Sequence, residues 1–312
     1  MGTRTTGDNR SCLLNASAIE PLWEDLRSIT AGDLTSLFVI TLLGLLLAGR
    51  MSFGQQQQAG SELPSVNAAM AQVGANQDRS ETARKQYRCV EHIHIITSKP
   101  GSSVMREEIA DYDFVPGATE TKMHLLRLTG RYWHQGKYED FSGEPVPAAD
   151  SWDADYIRDI RMCLTNEKSR CTTTPLLFPL TSEEQKQYDF RLIGRETLRE
   201  RDVYHVAFTP KNKTILAWAG EAFIDATDFQ PVRVFTNLSQ GVPFAVRTFA
   251  GTDISGFGYN VEYKRQEDGI WLPSSYGTEY GLRLFFHINR TVSVSMDTSF
   301  EVPQTDRERI TP

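Results

Sequence analysis

Histidine is the side chain best placed to do acid/base or metal chemistry near neutral pH, and this chain has six. His92 and His94 form an H-x-H pair, which on a β-strand points both rings to one face. No later motif supplies further ligands, so the pair reads as a partly exposed strand face rather than half of a metal centre. His124, His134, His205 and His287 stand alone and read as packed or surface residues. Asp225, Asp228, Glu262 and Glu279 could in principle pair for hydrolysis, but in a chain with 40 acids two carboxylates within reach of each other are expected by chance. The chain has no GxSxG elbow, HExxH helix, P-loop or dinucleotide fingerprint followed by a helix. Gly256-Phe257-Gly258 lacks a third glycine and reads as a turn or bulge. No catalytic residue, no metal ligand set and no cofactor site is assigned, and the expectation is a protein that is not an enzyme, with a hydrolase as a distant alternative.

Four cysteines are too few for a disulfide scaffold. Cys163 and Cys171 bracket the polar stretch LTNEKSR, a spacing that suits a bridge closing a loop. The other reading is three buried thiols, since Cys89 has no evident mate. There is no CxxC and no cysteine–histidine cluster to hold zinc.

The elements that must position any such groups come next. The 312 residues carry 33 Lys and Arg against 40 Asp and Glu, a net charge of −7. The charge is spread along the chain, which excludes a concentrated basic surface for nucleic acid. A hydrophobic share of 40% can bury a real core. One strongly apolar run, Leu37 to Gly49, has 13 residues, fewer than the ~20 of a membrane-spanning helix. Ser52-Phe53-Gly54 then places small residues for a cleavage before Gln55, the layout of a secretory signal peptide. Residues 1–54 are thus expected to be an N-terminal extension plus a cleaved leader, giving an exported protein; an uncleaved N-terminal anchor is the alternative. Residues 1 to about 30, acidic where positive charge is usual, read as an extension ahead of the leader proper.

Residues 55–63 read as a polar linker, and 64–312 as a single domain. Val66, Ala69, Met70 and Val73 recur at helical spacing, so a helix is expected over 64–86, capped by Ser65, with Gly74 a weak point. Beyond Tyr87 the period shortens. Segments near 87–97, 104–115, 122–133, 188–195, 202–209, 217–225, 231–238, 242–250, 256–265, 270–280 and 284–300 are rich in Val, Ile, Thr, Tyr and Phe and are punctuated by Gly, Pro, Asn and Asp. TVSVSMDTSF alternates strictly, the sign of one wet face and one dry face. An irregular insertion at 141–187 holds a short helix near 154–164 and a helical turn near 182–186. About a dozen strands with few helices predict a mainly β (α+β) fold: a strongly curved antiparallel sheet, or open β half-barrel, with helix covering its concave side.

Ten large apolar side chains between Trp218 and Phe286 exceed what so few helices can cover. They are an ordinary sheet core, or the wall of a cavity for an apolar ligand. On the second reading the lining residues are Trp218, Phe223, Phe244, Val246, Phe249 and Trp271.

The strings YDFRLIGRETLRERDVYHVAFTPKNKT, GEAFIDATDFQPVRV and YKRQEDGIWLPSS, over about 188–300, are similar to the LolA-like superfamily of periplasmic outer-membrane lipoprotein-sorting proteins and their bacterial relatives. The matching features are Phe208-Thr209-Pro210-Lys211, Gly220 to Asp225 leading into Phe229-Gln230-Pro231-Val232-Arg233, and Asp268-Gly269-Ile270-Trp271-Leu272-Pro273. They are strand-and-turn signatures: Pro231 opens a strand and Asp268-Gly269 makes a hairpin. The resemblance implies an open half-barrel with a helical lid over an apolar cavity. It also implies a non-catalytic, monomeric carrier whose partner is lipid or the acyl chain of a lipoprotein. An envelope protein is the alternative partner, bound by a module with a solid core.

Overall fold

A computed structural model describes residues 65–101, 103–117, 121–143, 152–165, 177–212, 218–240 and 244–301. The expected leader and linker, 1–63, lie outside them.

The chain enters through α1 (Val66–Arg84). Ser65 stops the helix as expected, its Oγ accepting a hydrogen bond from the Ala68 N–H at 3.3 Å and so satisfying one of the free first-turn donors. Gly74 sits mid-helix because a Cβ there would come within 2.9 Å of Ser182 Oγ: α1 packs hard on the segment before β5. Asp78 and Met70 tie the same segment down, accepting from the Ser182 N–H and the Gln185 side-chain amide.

Twelve strands follow among the described residues: β1 (Arg88–Ser98), β2 (Val104–Val115), β3 (Lys122–His134), β4 (Lys137–Ser142), β5 (Tyr188–Leu198), β6 (Arg201–Pro210), β7 (Trp218–Asp225), β8 (Pro231–Leu238), β9 (Asp253–Ser255), β10 (Gly258–Arg265), β11 (Trp271–Leu284) and β12 (Ile288–Glu301). They form one antiparallel sheet in the order β4-β3-β2-β1-β12-β11-β10-β8-β7-β6-β5, with β9 pairing on β11. The sheet does not close on itself; it is the open, curved half-barrel expected. Strands consecutive in the chain pair with one another in β1–β4, β5–β8 and β10–β12, and β1 zips against β12 from Arg88↔Glu301 to Ser98↔Thr291 to unite the two halves.

Register sorts the side chains into two faces. Cys89, Glu91, Ile93, Ile95 and Thr97 of β1 are buried and stand opposite Phe114, Tyr112, Ala110, Glu108 and Arg106 of β2. On the other side they face Phe300, Thr298, Met296, Val294 and Val292 of β12. The concave face continues through Tyr276, Thr278 and Tyr280 of β11 to Val234, Ala222 and Val206. Each fully buried Val, Ile or Phe on it stabilises the fold by ~2 kcal/mol. Helix α2 (Trp152–Thr165) lies against β1 and β2, and α1 against β5 and β11. α2 is the short helix expected within the insertion, and a 3₁₀ turn at Glu184–Gln187 is the expected second turn.

Three expectations are corrected. The stretch 242–250 is not a strand: Phe244–Phe249 forms α3. β4 was not foreseen, because KYEDFS has only two aromatic residues among charges. β11 runs on to Leu284 and turns at Phe285-Phe286, both at positive φ (51° and 63°).

Candidate functional site

The concave face carries a continuous band of aromatic rings. Trp218 on β7 meets Phe257 edge-on at 5.4 Å and Tyr259 of β10 at 4.9 Å. Phe257 packs on Tyr280 of β11 at 4.7 Å, and Tyr259 lies 5.9 Å from Tyr276. The Tyr280 hydroxyl is 2.7 Å from that of Tyr156 on α2, whose ring stacks on Trp152 at 4.6 Å. Trp218 and Trp152, at the two ends, are half-buried, whereas Tyr259, Tyr276 and Tyr280 are buried. Arg290 fixes the α2 end, its guanidinium gripping Asp153 with two 2.8 Å hydrogen bonds.

Tyrosine brings apolar area together with a hydroxyl that needs a partner once buried. Tyr263 gives its proton to the Leu177 carbonyl at 2.7 Å. Among the described residues the Tyr276 hydroxyl has no partner, nor do the amide oxygen and nitrogen of Gln77, a fully buried side chain of α1. Burial holds Tyr259, Tyr263, Tyr276 and Tyr280 well above the ordinary phenol range and pushes Tyr156 up to about 12. All are neutral at physiological pH, so the band is an apolar wall with a few uncharged polar points, the composition of a small-molecule pocket lining.

A second feature lies where α2 covers β2. Arg106, Glu108 and Arg161 are 1%, 2% and 6% exposed. Arg106 Nη2 donates to Glu108 Oε2 at 3.3 Å, and Arg161 Nε sits 2.8 Å from Glu108 Oε1, poorly aligned for a hydrogen bond. Arg161 also donates to the Tyr112 hydroxyl at 2.7 Å, tying α2 to the sheet. The cover is incomplete over β3, where Leu128, opposite Ala110, is buried but the start of the strand is not. Met123 and Leu125 stand opposite Phe114 and Tyr112 on the concave face, yet are 45% and 42% exposed.

The structure distributes the six expected lining residues differently. Trp218 is in the band. Trp271 is buried at the start of β11 beneath the Arg201 guanidinium, 4.9 Å from its ring. Phe223 points to the convex face, stacked on His205 at 4.5 Å. Phe244 and Val246 belong to α3 rather than to a strand, and Phe249, at its end, is 82% exposed. Cys163 is buried on α2, and Cys171 lies outside the described residues. His92 and His94 do share the convex face, bonded to Asp111 at 2.6 Å and Glu107 at 2.8 Å. Asp225 caps its own turn through the Thr227 and Asp228 N–H groups, and Glu262 takes the Arg199 guanidinium on both oxygens. Among the described residues no group of three or more His, Cys, Asp or Glu is placed to hold a metal ion, and no helix is long and apolar enough to cross a membrane. Sequence reasoning missed Arg106 and Glu108. The signal was their phase: in VMREEIADYDFV both charges fall on the same parity as Ala110, Tyr112 and Phe114.

An open antiparallel half-barrel whose aromatic concave face lies under helices is the class that fold and site define. The chain is similar to several solved structures. One is a DUF1329 family protein from Desulfovibrio piger (12% identity, 77% of this chain and 95% of that one, TM-score 0.34). Another is a LolA superfamily protein from Nitrosomonas europaea (9% identity, 79% and 97%, TM-score 0.31). A third is the lipoprotein LppX of Mycobacterium tuberculosis (11% identity, 77% and 98%, TM-score 0.26). TM-scores this low carry no weight for function. No family model and no curated protein matches the sequence.

Proposed function

We propose that the protein is a non-catalytic carrier of the cell envelope that holds lipid, or the acyl chains of a lipoprotein, against its concave face. One observation carries the reading: the apolar face continues past its helical cover, leaving Met123 and Leu125 exposed beside the buried Phe114 and Tyr112. Burying an acyl chain there is worth ~0.8 kcal/mol per CH₂, so holding one needs apolar wall and no reactive group. The leader-like run at 37–49 supports an exported, periplasmic location. The aromatic band, anchored by Trp218 and joined to α2 through Tyr156, is the rest of the wall.

The protein purified from its host without detergent should yield co-extracted lipid by mass spectrometry, and the stripped protein should bind a fluorescent fatty acid. Repeated recovery of lipid-free protein that ignores the probe would reject the reading. That result would favour a second reading, a module for an envelope protein partner, which the β4 edge, unpaired among the described residues, and the exposed Trp133 and Tyr138 beside it support.

A further inference from the structure

Arg106 is almost fully buried and largely unused. Of the five N–H donors of a guanidinium, one is spent on Glu108 at 3.3 Å, and its Nε and Nη1 have no partner among the described residues. Glu108 gives Arg106 only the longer share of its carboxylate, since its other oxygen sits 2.8 Å from Arg161. The Phe141 ring lies over the Arg106 guanidinium at 4.6 Å and the Tyr132 ring at 5.7 Å, so the faces are covered and the edges carry the unused donors. Thr97, directly across from Arg106 in the β1–β2 register and fully buried, also has an unpaired hydroxyl.

A guanidinium cannot shed its charge in a protein, and a buried cation with unfilled donors is costly unless something anionic completes it. Planar, edge-on donors match the oxygens of carboxylate and phosphate. We propose that Arg106, assisted by the Thr97 hydroxyl, binds the anionic head group of the carried lipid, a carboxylate or phosphate, between β2 and α2. This rests on the carrier reading and deepens it. The concave face of β2 is itself amphipathic: from Arg106 through Ala110 and Tyr112 to Phe114 it spans eight residue steps, roughly 26 Å. It turns from charged to apolar along that length and ends beside the exposed Met123 and Leu125. A head group on Arg106 lays its chain toward that exposed end.

The test is binding of oleate, methyl oleate and inorganic phosphate to the full chain by titration calorimetry. Oleate should bind at least tenfold more tightly than methyl oleate. Arg106→Met should weaken oleate about tenfold and leave methyl oleate unchanged, and Thr97→Val should shift oleate alone in the same direction by less. Arg106→Lys, which keeps the charge, should retain part of the preference. Should the substitutions prevent folding, the oleate-to-ester ratio of the unaltered protein decides by itself. Equal affinity for the two lipids overturns the head-group site while leaving the carrier intact. A substitution at Arg106 that weakens both lipids equally does the same. Phosphate binding that depends on Arg106, without any preference between the lipids, reassigns the site to a free small anion and also overturns it. Failure to bind either lipid removes the carrier reading, and the head-group site falls with it.

Discussion

Glu108 holds two guanidinium groups near one carboxylate beneath α2, and the three side chains are all but sealed from water. Such a cluster adds little to stability when complete, because desolvation offsets the Coulomb attraction, but removing one member is expensive. Glu108→Gln leaves Arg106 with no acid and should destabilise the protein by about 3 kcal/mol. A fall in the urea midpoint with an unchanged slope would register this as lost stability rather than altered compactness. A change below about 0.5 kcal/mol, the size expected of an ordinary surface substitution, would mean that water reaches the cluster. The same residues explain why the site was only partly legible. The sequence reading set aside lone histidines and scattered carboxylates, and the structure places Asp225 in a turn and Glu262 and His205 in ion pairs. The inward-facing Arg106 and Glu108 were missed because charge in a strand is ordinarily taken to mark the wet side, although their phase with Ala110, Tyr112 and Phe114 carried the signal.

At the scale of the element, the β11–β12 hairpin breaks its own local rule. Leu284 to His287 form a turn closed by the His287 N–H on the Leu284 carbonyl at 3.3 Å, with Phe285 and Phe286 both in the left-handed region. That is the geometry for which Asn-Gly is preferred; a large side chain there carries strain of order 1 kcal/mol per residue. Phe286 is held down over Gly251, where a Cβ would meet its ring at 2.3 Å, but Phe285 and Phe286 remain 48% and 65% exposed. Replacing the pair by Asn-Gly should stabilise the protein by about 1 kcal/mol and raise its melting temperature. A lower melting temperature would show that the packing of Phe286 on Gly251 outweighs the backbone strain. Elsewhere the strands were legible because alternation reports a two-faced sheet directly, as in TVSVSMDTSF of β12, with Val292, Val294 and Met296 all inward. α3 was misread because FAVRTF is rich in β-forming residues and, at six residues, too short for helical periodicity to show. Which face a strand's aromatics take was equally hidden. Phe223 and Trp218 lie five residues apart on one strand, so alternation sets them on opposite sides, and pairing with β6 and β8 decides which side is inward.

For the whole molecule the two faces of the sheet set two different limits of pH. Acids held in ion pairs, Asp111, Glu107 and Asp113 on the convex face and Asp202 at the β5–β6 turn, set the lower one. Burial raises the affinity of Asp111 and Glu107 for protons, but bonds from His92 and Arg127, and from His94 and Arg131, outweigh it and hold both below the ordinary carboxylate range. Arg88 does the same for Asp113, and Arg195 for Asp202. A carboxylate whose folded pKa is depressed adds stability above its unfolded pKa, which is lost as pH falls through the folded value. Glu184, raised by burial and by Glu183, works in the opposite sense but stands against five lowered acids, the fifth being Glu139 bonded by Tyr132 and Lys137. The concave face works at the other end. Tyr259, Tyr263, Tyr276 and Tyr280 are raised by burial, so their contribution is complete below the ordinary value of 10.0 and is lost as pH climbs through the raised values. Stability should therefore be flat through neutrality, fall below about pH 4, and fall again above about pH 10. In the alkaline limb the ultraviolet absorbance of tyrosinate should appear together with loss of the β-sheet circular dichroism, because these hydroxyls can ionise only once the wall opens. Smooth titration of all the tyrosines near pH 10 with the sheet intact would place those rings in water. The apolar wall on which the carrier reading stands would then not exist.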